Sequence, residues 1–348
     1  MESKKIKVGI IGATGYAGAE LIRLLLKHPK LEIVALGSKS FEGTALPDVY
    51  PAFRGFCDLI CEDNDAVIQK SDVVFAAVPH GLSQKLAFEC YSKSKYFIDL
   101  GADFRLEDEE DYKAWYGLEF THTELHKQAA YGLPELFREK IKGSKIIANP
   151  GCYPTSIALG LFPAIKQGLI DTDSIIIDSK SGVTGAGRNP TTTTHFAQCN
   201  ENFNPYKIAE HRHTPEIEQT LSSAASKKVK VTFVPHLLPV NRGILSTMYA
   251  SLKPGVSGDK IRQVYNDFYS NEPFVRVLPK GKTADIRSVR YTNICDISLH
   301  IDPRTSRLIV VSAIDNMVKG AAGQAVQNMN IILGIKEQTG LELIPPAF

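Results

Sequence analysis

Lys5-Ile6-Lys7-Val8-Gly9-Ile10-Ile11, running directly into Gly12-Ala13-Thr14-Gly15-Tyr16-Ala17-Gly18, decides the fold of this chain. The first seven residues form a short β-rich run of the kind found in buried parallel strands. After the glycine loop, Ala19-Glu20-Leu21-Ile22-Arg23-Leu24-Leu25-Leu26 has helical spacing, and it stops before His28-Pro29. Strand, glycine loop and helix in that order make a dinucleotide-binding unit. The glycines permit a tight turn and bring the backbone close to a pyrophosphate at the helix N-terminus. The spacing is G-x-x-G-x-x-G rather than G-x-G-x-x-G, so the position between strand and helix carries the signal. Gly12, Thr14, Gly15, Tyr16, Ala17 and Gly18 are therefore expected against the cofactor.

The next strand says which nicotinamide. Leu31–Leu36 ends at Gly37-Ser38-Lys39-Ser40, about 20 residues past the last glycine, where NAD enzymes place an acidic residue for the ribose 2′-hydroxyl. Ser38 and Lys39 instead offer a hydroxyl and a cation, which suit a 2′-phosphate, so the expected cofactor is NADP(H). Further βα repetition follows. Asp72–Val78 reads as a strand ending at Pro79-His80-Gly81, a helix covers about Ser83 to Cys90, and Tyr96–Leu100 is the next strand. Ligands of such parallel sheets bind beyond the strand C-termini. This places Pro79 and the stretch Gly101-Ala102-Asp103-Phe104-Arg105 at the rim of the site.

With 348 residues the chain is long enough for two domains, and 43% hydrophobic with 22% charged residues describes a globular protein. A net charge of +2 and the lack of a basic, aromatic-interleaved cluster argue against nucleic acid. Met1-Glu2-Ser3-Lys4-Lys5 lacks the apolar core of a signal peptide, and no apolar run reaches membrane-spanning length. The expected location is the cytoplasm. Six cysteines in a chain of this size do not make a disulfide framework, and Cys57 and Cys61 lack a matching second pair for zinc. No metal is expected.

One cysteine has an activating context. In Asn149-Pro150-Gly151-Cys152-Tyr153-Pro154-Thr155 it stands at the mouth of an apolar helix, Ser156–Phe162, whose first turn suits Pro154. The positive end of the helix favours a thiolate there, and its unpaired N–H groups can hold a developing oxyanion. A proton partner is offered by Ala209-Glu210-His211-Arg212-His213-Thr214-Pro215-Glu216-Ile217. Thr214 reads as a helix cap, with His213 just outside, where the dipole favours a neutral imidazole. His211 and His213 share a face only if the backbone is extended. Arg212 binds a carboxylate or phosphate, or pairs on the surface. Ser179–Arg188 reads as a second glycine-rich loop, an anion nest to which Lys180 and Arg188 add charge. His236 and Arg242 form a further polar cluster.

Lys145–Ala148 reads as the last strand of the first domain. From Asp173 onward the runs Ile175–Asp178, Lys230–Val234, Gly243–Ala250, Thr292–Ile301 and Leu308–Ala313 alternate like half-exposed antiparallel strands. An α+β domain follows from this, with one sheet face available for a subunit contact. Residues 317–333 read as one helix rich in small residues that returns to the first domain. The expected division is residues 1–148 with 316–348 as a Rossmann-type NADP-binding domain, and residues 149–315 as the catalytic and oligomerisation domain.

A nicotinamide, an activated cysteine, a histidine and anion-binding loops imply one reaction class. The thiolate attacks an acyl phosphate, a thioester forms with loss of phosphate, and hydride reduces it to an aldehyde. Gly12–Gly18, Asn149–Thr155, Ser181–Arg188, His211–Ile217 and Asp315-Asn316-Met317-Val318-Lys319-Gly320-Ala321 resemble the N-acetyl-gamma-glutamyl-phosphate reductases of arginine biosynthesis. The motifs run in family order from residue 8 to about 330, over nearly the whole chain. The resemblance implies a semialdehyde-dehydrogenase-like α/β fold and reductive dephosphorylation of N-acetyl-L-glutamyl 5-phosphate with NADPH. It implies Cys152 as thioester nucleophile and His213 as the acid–base group with His211 assisting. Ser38 and Lys39 would meet the 2′-phosphate, and Ser181, Gly182 and Asn316 would approach the cofactor. Arg105, Asn149, Arg188 and Arg212 are the candidate substrate residues. The family is generally a homotetramer or homodimer. A substrate one methylene longer stays open, since one methylene is worth only about 1–3 kcal/mol in a pocket.

Overall fold

The computed structural model describes residues 5–348; residues 1–4, whose polarity spoke against a signal peptide, lie outside the described residues. The chain forms two compact units, Met1–Pro150 with Ala321–Glu342, and Gly151–Gly320 with Leu343–Phe348.

The first unit carries seven strands: β1 (Ile6–Ile11), β2 (Leu31–Gly37), β3 (Cys61–Glu62), β4 (Val73–Ala76), β5 (Tyr96–Asp99), β6 (Ala130–Tyr131) and β7 (Ile146–Ala148). They pair in the order β3-β2-β1-β4-β5-β7-β6, every pair parallel. Its helices are α1 (Tyr16–Leu25), α2 (Leu46–Val49), α3 (Asn64–Lys70), α4 (Ser83–Ser92), α5 (Glu109–Tyr116), α6 (Thr123–Gln128) and α7 (Pro134–Lys142). Val8, Ile10 and Val73–Ala76 are fully buried, as expected of central strands covered on both faces. On α1 the buried Leu21, Ile22, Leu24 and Leu25 follow helical spacing and turn that helix onto the sheet. Asp108 caps α5, accepting from the N–H groups of Glu110 and Asp111, with further carboxylates in the first turn where the dipole favours them.

The second unit has helices α8 (Cys152–Lys166), α9 (Phe196–Cys199), α10 (Thr214–Ala225) and α11 (Gly258–Tyr269). Its strands are β8 (Ile176–Gly182), β9 (Asn204–Pro205), β10 (Thr232–Leu238), β11 (Ile244–Ser251), β12 (Val275–Val277), β13 (Cys295–Asp302) and β14 (Arg307–Ile314). The order is β12-β13-β14-β11-β8-β10-β9. The sheet is mixed, not purely antiparallel: β10 runs parallel to β8 and β12 parallel to β13. Residue alternation reports one buried face and is blind to strand direction. Along β11, Ile244, Ser246, Met248 and Ala250 are buried while Leu245, Thr247, Tyr249 and Ser251 are half-buried. The buried side meets α8, which also packs against α10 and α11. Two tyrosines of α11 fix that contact, Tyr265 and Tyr269 donating to the carbonyls of Gly160 and Leu159 at 2.6 and 2.5 Å.

The expected single helix over residues 317–333 is broken. Val318–Ala322 is a π turn, and α12 (Gly323–Ile332) begins after it. The Gly320 N–H donates to Asp315 O, the five-residue reach of a π bond, while Asp315 Oδ1 takes the N–H groups of Met317 and Val318. α12 lies in the first unit against α1 and α7. It buries amides as well as small residues: Gln324, Gln327, Asn328 and Asn330 are all fully buried. Asn328 Nδ2 donates to Gly132 O and Asn149 Oδ1, and Asn330 Nδ2 to the carbonyls of Glu337 and Thr339.

Candidate active site

In the first unit the glycine loop leaves β1 and enters α1 at Gly15, an extended residue (φ −76°, ψ 166°) with no side-chain cap. Gly12 has φ +83°, and a Cβ there would lie 2.2 Å from Ala77 O. A Cβ on Gly18 would lie 2.3 Å from Gly12 O and 2.7 Å from Ala13 Cα. Strand, loop and helix are therefore packed backbone on backbone, and only glycine fits at these two places. Thr14 Oγ1 and Ser38 Oγ meet at 2.7 Å, which joins the glycine loop to the end of β2. Lys39, Tyr16 and Pro79 are exposed, and Ala17 is half-buried. Glycines packed this closely at a helix N-terminus are what the approach of a pyrophosphate to the backbone requires; Ser38 and Lys39 follow directly on the end of β2.

The rim loops of this unit are braced by two buried aspartates that the sequence reading did not single out. Asp103 Oδ1 accepts from Gly81 N–H at 2.7 Å and Tyr112 O–H at 2.9 Å, and Oδ2 from Ser83 N–H at 2.9 Å. Asp99 Oδ1 accepts from Ser83 Oγ and Gly101 N–H at 2.6 and 2.8 Å. Burial, and then the charge of Asp103, push the Asp99 carboxyl up to about 7. Their one legible signal was an aspartate at and just past a strand C-terminus.

Two expected substrate residues have structural partners here. Arg105 is buried and donates to the carbonyls of Asn149 and Leu100, both at 2.8 Å. Asn149 Nδ2 donates to Ala321 O at 3.1 Å, and its Oδ1 accepts from Asn328. Both side chains tie the ends of β5 and β7 to neighbouring backbone, because those ends leave carbonyls that need donors.

In the second unit α8 begins at Cys152 itself, with Gly151 as N-cap and Pro154 in the first turn. Cys152 is half-buried, whereas the other five cysteines are buried. Burial pushes the Cys90 thiol up to about 12, so it is inert as a nucleophile. The backbone of Gly320 presses on the nucleophile candidate: a Cβ on Gly320 would lie 2.8 Å from Cys152 Cβ.

The histidine pair reaches this helix by a turn, not by the extended backbone its spacing called for. His213 N–H donates to His211 Nδ1 at 3.1 Å, and the two rings are 4.8 Å apart. The ring of Tyr153, next to Cys152, stands edge-on to both, with centroids 5.5 Å from His211 and 6.0 Å from His213. Thr214 is not the cap of α10. It is the first helical residue, and His213, already in the αR region, holds the N-cap position. The preceding turn, closed by Thr214 N–H to His211 O, winds the chain one residue early. His211 is packed among Tyr153, Tyr206 and Phe233. Burial, aided by Lys207 and Arg212, holds its pKa down at about 4, so its ring is neutral near pH 7. Tyr206 hydrogen-bonds Tyr153 through the hydroxyls at 3.1 Å, and burial raises both phenols, Tyr206 to about 12.

The expected anion nest is partly strand. Ser181 and Gly182 end β8, and only Val183–Ala186 turns, as a 3-10 segment. Lys180 pairs with Asp178 at 2.5 Å, and His236 Nδ1 lies 3.3 Å from the same carboxylate. Arg242 instead faces Asp315 at 3.4 Å and the ring of Tyr291, so His236 and Arg242 have different partners. Asn316 Oδ1 accepts from Gly243 N–H and its Nδ2 donates to Thr184 Oγ1, which ties it to the turn after Gly182. Arg188 and Arg212 are half-buried.

Comparison with known proteins gives a consistent picture. Residues 7–144 match the family model described as semialdehyde dehydrogenase, NAD binding domain, and residues 152–316 match semialdehyde dehydrogenase, dimerisation domain. A Clostridium botulinum (strain Eklund 17B / Type B) protein named N-acetyl-gamma-glutamyl-phosphate reductase is 59% identical over 343 residues, 99% of this chain and 100% of that one. A Brachyspira hyodysenteriae protein of the same name is 57% identical over 351 residues, with the same coverage. Among solved structures, Vibrio cholerae aspartate semialdehyde dehydrogenase II gives a TM-score of 0.72 at 17% identity. The Candida albicans aspartate semialdehyde dehydrogenase with NADP gives 0.72 at 18% identity. Each covers 95% of this chain and 99% of its own. At that identity the likeness is one of fold.

Proposed function

The chain belongs to the N-acetyl-gamma-glutamyl-phosphate reductase family, and from that premise we propose Cys152 as its nucleophile and His213 as its proton carrier. The reaction is the NADPH-dependent conversion of N-acetyl-L-glutamyl 5-phosphate to N-acetyl-L-glutamate 5-semialdehyde and phosphate, a step of L-arginine biosynthesis. One observation carries the assignment of roles: a turn brings the rings of His211 and His213 to Tyr153, the residue after Cys152 at the mouth of α8.

The Cys152 sulfur attacks the acyl carbon, the phosphate oxygen leaves with the bonding pair, and a thioester remains on the protein. Amide dipoles at the start of α8 face the carbonyl oxygen as it gains charge. Pro154 has no N–H, so Cys152 and Tyr153 supply the first-turn donors nearest the sulfur. His213, at the N-cap of α10, takes and returns the proton at the substrate oxygen. His211 is neutral at working pH, and its Nδ1 holds the His213 N–H, so it orients rather than titrates. Gly12, Thr14, Gly15, Tyr16, Ala17 and Gly18 hold the pyrophosphate, with Ser38 and Lys39 at the 2′-phosphate. NADPH, when bound, supplies the hydride.

The working form is a homotetramer or homodimer built through the half-buried sheet face that carries Leu245, Thr247 and Tyr249; the description of the second matched domain supports this. The location is the cytoplasm. In support, no helix among the described residues is long and apolar enough to cross a membrane.

The test is phosphate-dependent reduction of NADP by the purified protein with N-acetylglutamate semialdehyde, beside aspartate semialdehyde and a Cys152→Ser variant. Turnover of the acetylated substrate alone is expected, with a loss of at least about 10⁴-fold in the variant and NADP binding retained. A Cys152→Ser protein that keeps wild-type turnover sinks the assignment of the nucleophile.

A further inference from the structure

The loop from β4 to α4, residues 77–82, is held at its far end by carboxyl groups that lie elsewhere in the sequence. Leu82 stands at the N-cap of α4 and offers no side-chain acceptor. Asp103 takes that place, accepting from the N–H groups of Gly81 and Ser83 and from the hydroxyl of Tyr112 in α5. The Ser83 hydroxyl turns the other way and donates to Asp99 Oδ1 at 2.6 Å. Two fully buried carboxyl groups thus converge on one serine. Their surroundings differ. Asp103 has three donors on its two oxygens, which suits an anion. Asp99 Oδ2 is buried with no hydrogen-bond partner among the described residues. An oxygen left in that position costs far less in a neutral carboxyl than in a charged one.

The charges around the pair act in the same sense. Burial and the charge of Asp103 raise the Asp99 carboxyl to about 7, against the opposing pull of Ser83, the Gly101 N–H and the Arg105 guanidinium. Tyr112 keeps its proton, because burial and Asp103 raise its phenol. His126, which faces Asp103, is held down at about 4 chiefly by burial and is neutral. At its near end the same loop lies on the glycine loop. Ala77 N–H donates to Ile11 O at 2.8 Å, and Ala77 O is the atom that a Cβ on Gly12 would meet at 2.2 Å. We propose that Asp99 and Asp103 form a one-proton latch on residues 77–82, which holds that loop in place for NADP while the proton is bound and loosens it when the proton leaves. Loss of the proton from Asp99 sets a second negative charge against Asp103 across Ser83, and the bonds from Gly81 and Ser83 to Asp103 are the ones that yield. This rests on the reading of Gly12–Gly18 as the cofactor loop.

The test is the NADP affinity of the whole protein, titrated calorimetrically from about pH 5.5 to about pH 8.5, for wild type and Asp99→Asn. The variant is neutral throughout and keeps the Oδ1 acceptor. The 2′-phosphate of NADP titrates in the same window, so the quantity to read is the ratio of the two dissociation constants. Wild type and variant should bind alike at the acid end. At the alkaline end wild type should bind about tenfold more weakly than the variant, with the midpoint near pH 7. Ser83→Ala removes a donor that favours the charged carboxyl, so it should move that midpoint up by about one pH unit. Infrared difference spectra report the proton itself. Wild type should show a carboxylic-acid C=O band that fades through the same midpoint and is missing from Asp99→Asn. A ratio that stays level while NADP binds tightly would overturn the latch, and so would a wild-type spectrum with no band that the variant lacks. A protein that binds NADP at no pH would refute the cofactor reading, and the latch with it.

Discussion

The mouths of α1 and α8 are built alike and finished differently. Each starts from an extended glycine with no side-chain cap, Gly15 at φ −76°, ψ 166° and Gly151 at φ −67°, ψ 155°. Each presents the positive end of a buried helix, a generic anion site. At α1 the protein brings no acidic residue into the first turn, and backbone crowds backbone around Gly12 and Gly18. At α8 the protein brings a side chain of its own, the buried Glu216, whose Oε1 accepts from the Gly151 N–H. A helix mouth does not by itself say whether a ligand belongs there. What differs is what the fold adds there: crowded backbone at α1, and at α8 a side chain on the Gly151 N–H that precedes the first turn.

The largest expected effect tests the second mouth. Replacing His213 by Gln should lower kcat by about 10²–10⁴-fold, the usual worth of a general acid–base group. His211→Gln, which leaves an acceptor near the His213 N–H, should cost about tenfold. The reverse order in steady-state kinetics would hand the proton to His211 and require its ring to titrate outside the aromatic cage.

Next comes the first mouth. Gly18→Ala drives a Cβ to 2.3 Å from Gly12 O, a clash with backbone that cannot swing aside. Overpacking of this kind costs about 1–3 kcal/mol, and NADP affinity should fall about 10–100-fold. Alkylation of Cys152 should not change. If it slowed as much as NADP binding weakened, the two mouths would not be independent features.

The smallest effect is on stability. His211 titrates near pH 4 in the folded chain and near 6.5 when unfolded. The unfolded chain therefore binds the extra proton between those values, and stability that is complete above pH 6.5 is lost as pH falls towards 4. The melting temperature should drop over that window, and His211→Gln should flatten the drop. His126 of the first unit, held at about 4 chiefly by burial, acts in the same direction, so the slope should shrink without vanishing. A slope left untouched would mean that His211 is not buried neutral.

The two mouths also mark what the sequence could tell. Gly12–Gly18 is contiguous, so its chemistry and its place in a βα unit are written side by side. Cys152 and the two histidines stand out for the same reason, each within a short motif. Glu216 was visible only as the end of His-Arg-His-Thr-Pro-Glu, because its partner lies 65 residues away. Arg105 and Asn149 show the same limit from the other side, since none of their partners could be read from their own motifs. The carbonyls and amides that engage them come from the ends of β5 and β7 and from the segment around α12. Alternation in the later strands revealed the buried face of the second sheet and not its mixed direction, since period two is common to both. The π turn at Val318–Ala322 had no composition cue, because it depends on Asp315 gathering N–H groups from Met317, Val318 and Tyr291.

The bond between Gly151 and Glu216 also sets a clock for biosynthesis of the protein. When residue 166 leaves the ribosome, α8 can form and Cys152 is already in the chain, but the side chain that accepts from the Gly151 N–H has yet to be translated. The strand β8 must be laid down in between, before α10 can dock. A nascent or truncated chain ending before residue 216 therefore carries Cys152 at the mouth of α8 without the side chain that holds the Gly151 N–H.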